Sequence, residues 1–79
     1  MMTTDDLLKI VKKALQTKRE VTLEDSVDTL EEWDSLGQLA ILVGIDKKLG
    51  GKAAEIKQLT ACHSIQSLAE ILREHHLLS

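Results

Sequence analysis

The chain has no Phe, no Tyr and a single Trp, so any core it builds must be filled by Leu, Ile, Val and Ala. Aliphatic side chains of this size suit helices packed in two layers. No alternating β-branched run reaches strand length. At 79 residues there is room for one domain, too small to enclose a deep active site. A composition 43% hydrophobic and 29% charged is that of an ordinary folded protein and argues against wholesale disorder.

Helical spacing organises most of the chain. Thr4 with Asp5 and Asp6 forms a start signal, and Leu7, Leu8, Val11 and Leu15 follow on one stripe, with Lys12, Lys13, Lys18 and Arg19 toward the far end, where cations meet the helix dipole favourably. This predicts a helix over about 4–17. Residues 18–34 show no sustained period; Val21, Leu23, Val27 and Leu30 are expected to anchor this long connection. A second helix is expected over 35–49, ended by Gly50 and Gly51, with Leu36, Leu39, Leu42, Val43 and Leu49 as its core stripe. Ala54, Ile56 and Leu59 suggest a short third helix over 53–59. Ser64 caps a last one over about 64–76, in which Ile65, Leu68, Ala69 and Leu72 share a face. The fold class is all-α.

Several functions are disfavoured. A formal charge of -3 and the lack of a basic stripe make nucleic acid an unsuitable partner. No apolar run approaches the roughly 18 residues of a membrane span, and the N-terminus lacks the order of a signal peptide, so a cytoplasmic protein without membrane association is expected. The lone Cys62 cannot form an internal disulfide and reads as a small structural side chain. Cys62-His63 and His75-His76 lack zinc-site spacing, the Lys12-Lys13 and Lys47-Lys48 pairs read as solvated, and Glu55, Glu70 and Glu74 stand singly.

One segment carries chemistry. Glu31-Glu32-Trp33-Asp34-Ser35-Leu36-Gly37 puts a hydroxyl at a helix start, after an acid and at the end of a long loop. Asp and Ser there can serve simply as caps. The same place also suits a phosphodiester, which would meet backbone N–H groups and the positive end of the helix dipole. No base lies nearby in the sequence, there is no Gly-x-Ser-x-Gly elbow, and the three histidines follow no triad order. Ser35 therefore reads as a hydroxyl modified by another enzyme, in a chain that is not itself an enzyme.

Trp33-Asp34-Ser35-Leu36-Gly37, followed by a Leu-rich helix ending Ile45-Asp46-Lys47-Lys48-Leu49-Gly50 and a later Ser64-Ile65-Gln66-Ser67-Leu68 start, resembles the phosphopantetheine attachment region and helix order of the acyl carrier protein family. The resemblance covers nearly the whole chain. It implies a small four-helix bundle, monomeric, with 4′-phosphopantetheine from coenzyme A attached at Ser35 by a phosphopantetheinyl transferase that uses magnesium. Asp34 would help orient metal and phosphate in that complex, with a helix cap as its plainer role. Leu36 would touch the transferase or be partly buried. Other implied partners are acyl- or aminoacyl-loading and acyl-processing enzymes.

The sequence departs from the acid-rich second helix typical of fatty acid synthesis, because Gly37, Ala40 and Lys47 stand where acids are common and Asp46 is its only carboxylate. A carrier dedicated to a particular pathway is therefore expected, docking through Gly37, Gln38, Ile41 and Lys47. Gly37 costs helix propensity, up to about 1 kcal/mol; either it admits a close neighbour or it is tolerated at a frayed end. Leu39, Val43, Ile56, Leu59 and Ile65 are the candidate lining of an acyl pocket, and equally candidates for the core. Asp34 follows the acyl rather than the peptidyl pattern, yet aminoacyl carriers also show Asp-Ser-Leu. A non-catalytic helical adaptor is the reading from a different class.

Overall fold

In the computed structural model, which describes residues 2–79, the chain forms three α-helices. Helix α1 spans Thr4–Leu15, α2 spans Ser35–Lys48 and α3 spans Ile65–Glu74. Among the described residues there is no strand; extended pieces meet only as isolated bridges, Met2 with Leu78 and Ser26 with Ser64. Among the described residues no helix is long and apolar enough to cross a membrane.

Each α-helix begins with a side-chain cap. Thr3, one residue before the expected start, caps α1: its hydroxyl accepts from the Asp6 N–H at 3.1 Å while the Asp6 carboxylate accepts from the Thr3 N–H at 3.1 Å. This reciprocal pair satisfies two donors at once. The helix stops at Leu15, short of 17, because Gln16 turns left-handed at φ 54°. Gly50 and Gly51, at φ 65° and 92°, lead the chain away from α2 as expected. Ser64 caps α3, its hydroxyl accepting from the Ser67 N–H at 3.1 Å.

The expected short α-helix over 53–59 is instead two 3-10 segments, Lys52–Glu55 and Lys57–Ala61, separated by Ile56 in an extended conformation. Their buried residues, Ala53, Ile56 and Leu59, recur every third position and continue to Cys62. That is the three-residue turn of a 3-10 helix rather than the 3.6 of an α-helix.

The core joins Leu7, Val11 and Leu15 of α1 to Ile41 and Ile45 of α2 and to Ile65, Leu68 and Leu72 of α3. The expected α2 stripe is wrong in part. Leu36, Leu39 and Val43 are exposed, Leu42 and Leu49 are partly buried, and the inward face is Gly37, Ile41 and Ile45. Apolar residues surround α2 nearly all the way round, so spacing alone does not select a face.

The loop before α2 is pinned largely by a carboxylate. Val21 and Leu30 are buried as anchors, whereas Leu23 and Val27 are about two-fifths exposed. Buried Asp25 accepts from the Thr22 N–H at 2.8 Å, the Thr29 hydroxyl at 2.8 Å and the Arg19 guanidinium at 2.6 Å. Burial opposes its charge, but these donors outweigh that cost and bring its carboxyl down to about 2. On its backbone side, Asp25 accepts from the Ile65 N–H at 3.1 Å, fastening the loop to the start of α3.

Candidate functional site

Trp33 brings the chain into α2. Its ring is buried and its indole N–H donates to Gln38 Oε1 at 2.6 Å, linking the last loop residues to the first turn of the helix. Asp34 then takes the cap position, its Oδ1 accepting from the Gly37 N–H at 2.8 Å and its carbonyl from the Gln38 N–H at 2.8 Å. Ser35 is the first helical residue. It is exposed, and among the described residues its hydroxyl has no hydrogen-bond partner. The Ser35 and Leu36 N–H groups, on the same turn, likewise meet no acceptor among the described residues.

The geometry separates two duties that the sequence had left on one pair of residues. Asp34 fastens the helix, and the Ser35 hydroxyl stays accessible to an incoming group. A phosphodiester on Ser35 Oγ fits this place: the N–H groups of the first turn and the helix dipole favour an anion there, and no side chain has to move to expose the oxygen. Leu36, 78% exposed, stands beside Ser35 as an open apolar side chain, which answers the alternative of partial burial.

The residues expected to dock a partner do not form one surface. Gly37 and Ile41 are buried against the rest of the domain and present nothing outward. Gln38 is half-buried, holding the Trp33 indole and approaching the Leu59 and Thr60 carbonyls at 3.4 Å. Lys47 alone is exposed. The large apolar residues that α2 offers to solvent are Leu36, Leu39 and Val43, which share one side of the helix at intervals of three and four.

The residues expected to line an acyl pocket are partly brought together. A cleft of about 400 Å³ between α2 and the 3-10 segments is lined by Val43, Ile56 and Leu59, together with Leu42, Ala53 and Ala54. Leu39 is exposed and does not line it, and Ile65 is fully buried in the core. Asp46 stands at its edge and accepts from the Ala54 N–H at 2.8 Å, tying the first 3-10 segment to α2. A second groove, about 350 Å³, opens directly at Ser35 and is walled by Val27, Trp33, Asp34, Gln38 and His63. Sequence reasoning missed His63 here, since nothing in the spacing places it near residue 35.

Cys62 is buried, and burial followed by the nearby Glu70 charge pushes its thiol up, away from the reactive thiolate. Among the described residues no three His, Cys, Asp or Glu side chains gather as a metal-binding group.

No protein-family model, curated protein or solved structure gives a significant match to this chain.

Proposed function

We propose that this chain is an acyl carrier, presenting a thioester-bound group on a phosphopantetheine arm joined to Ser35, with an aminoacyl group as the alternative cargo. The observation that carries the reading is the Ser35 hydroxyl itself, which stands exposed at the first position of α2 while Asp34 does the capping. It is supported by the resemblance of the flanking residues to carrier proteins.

In the loading reaction, Ser35 Oγ forms a bond to the pantetheine-bearing phosphorus of coenzyme A. The pyrophosphate P–O bond breaks, adenosine 3′,5′-bisphosphate leaves, and the hydroxyl proton passes to a base of the transferase. The attached arm supplies a thiol whose thioester activates an acyl or aminoacyl group and keeps it at high effective concentration beside each partner enzyme. This chain's own residues position and present. Asp34 holds the helix start, the first-turn N–H groups face the phosphate, and Leu36, Leu39 and Val43, with Lys47 beyond them, offer an apolar rather than acidic docking face. A dedicated pathway fits such a face better than enzymes with basic carrier-binding patches.

The test is incubation with coenzyme A, Mg²⁺ and a broad-range phosphopantetheinyl transferase, followed by intact-mass measurement of wild type and Ser35→Ala. Wild type should gain one phosphopantetheinyl group and the variant none. A wild type that gains nothing overturns the carrier reading and favours an adaptor that uses the same exposed apolar residues.

A further inference from the structure

We propose that the groove beside Ser35 seats the first part of the arm, with the His63 imidazole meeting its phosphate and Val27 and Trp33 receiving its geminal methyl groups. This inference rests on the carrier reading and adds a binding site on the body of the protein.

The groove is built by fixed parts. The Val27 N–H donates to the His63 carbonyl at 3.0 Å, and the Ile65 N–H to the Asp25 carbonyl at 3.1 Å, so the loop and the turn before α3 form one wall. Gln38 and Trp33 form the other, held by the 2.6 Å indole hydrogen bond. This leaves little freedom to be lost when a ligand settles.

Its polar atoms are divided unevenly. The Asp34 carboxylate is engaged by the Gly37 N–H, the Trp33 N–H is spent on Gln38, and the Gln38 amide nitrogen points toward the Leu59 and Thr60 carbonyls. Among the described residues the Ser35 hydroxyl, the His63 imidazole and the second carboxylate oxygen of Asp34, Oδ2, are left without a partner. The hydroxyl is the attachment point, and the imidazole, on another residue of the same groove's wall, can donate a hydrogen bond. A phosphodiester on Ser35 brings a negative charge close to the Asp34 carboxylate, so donors from the α2 start and from the opposite wall are needed to offset the repulsion. Val27, 39% exposed although it belongs to an apolar loop pattern, gives the groove a methyl surface next to the Trp33 ring.

The test compares apo and holo protein, the latter loaded with coenzyme A, Mg²⁺ and a broad-range transferase and checked by intact mass. In the holo form, nuclear Overhauser contacts should appear between the geminal methyl protons of the arm and the side chains of Val27 and Trp33, together with amide shifts at residues 27 and 63. His63→Ala, a change at an exposed residue, should gain the same mass but lose those contacts, and His63→Gln, which keeps a donor, should restore them. Amide changes confined to residues 34–37, with no contact to Val27 or Trp33, would show the arm free in solvent and overturn the groove. Contacts that persist unchanged in His63→Ala would remove the role given to the imidazole. Absence of any mass gain is a different result and strikes the carrier reading itself.

Discussion

Gly37 lies where α2 meets the end of α1 and the preceding loop. A Cβ added there would press into the Glu32 carbonyl oxygen and come within 2.6 Å of Leu15 Cδ2. The propensity lost to glycine is therefore the cost of a close approach within the domain, and a frayed helix end is not the reason for it. Gly37→Ala gains up to about 1 kcal/mol of helix propensity but meets a backbone atom that cannot yield, so a net loss of about 1–2 kcal/mol is expected in urea unfolding. Asp25 makes a second prediction. Its carboxyl lies at about 2 in the folded chain against 3.8 ordinarily, so its contribution is complete above about pH 4 and is lost as pH falls toward 2. The shift corresponds to at most about 2 kcal/mol, less what the half-exposed Arg19 concedes to solvent screening. Asp25→Asn should lower stability at neutral pH and flatten the acid limb of stability measured by urea unfolding across that range.

Among the elements, α1 and α3 were legible because each concentrates its apolar residues on one stripe beneath a recognisable cap. Helix α2 was legible in extent and misread in orientation. Leu36, Leu39, Ile41, Leu42, Val43 and Ile45 crowd one short stretch, and hydrophobicity cannot choose among them. A further signal was present in the glycines. Gly37, Ile41, Gly44 and Ile45 share a face at i, i+4, i+7 and i+8, and a Cβ on Gly44 would lie 2.8 Å from Ile10 Cγ2, so the smallest residues mark the side that α1 approaches. The three-residue spacing from Ala53 to Cys62 likewise carried the 3-10 geometry, obscured by its overlap with the i, i+3 step of an α-helix. At the candidate site, Ser35 and Asp34 were readable from a local pattern, whereas His63 arrives through a loop contact that no local pattern encodes. The α2 assignment predicts a sharp contrast. Ile41→Ala or Ile45→Ala should cost about 2–5 kcal/mol, while Leu36→Ser, Leu39→Ser and Val43→Ser should each stay within about 0.5 kcal/mol; thermal or urea unfolding of the five variants checks it.

For the molecule as a whole, a short aliphatic chain achieves order by tying distant segments together. Asp25 fastens the long loop to α3, Asp46 fastens the 3-10 segments to α2, and Met2 and Leu78, both buried, join the beginning of the described chain to its end. The Met2 N–H donates to the Leu77 carbonyl at 3.1 Å and the Ser79 N–H to the Met2 carbonyl at 2.9 Å. Chain ends ordinarily fray and exchange their amide protons rapidly. Here each end clasps the other, so neither can peel back without exposing a buried side chain. The amides of Met2 and Ser79 should exchange with deuterium more slowly than those of Lys52–Glu55, and the first region to open should lie beside the cleft, leaving the pairing of Met2 with Leu77 and Ser79 closed until the entire fold gives way.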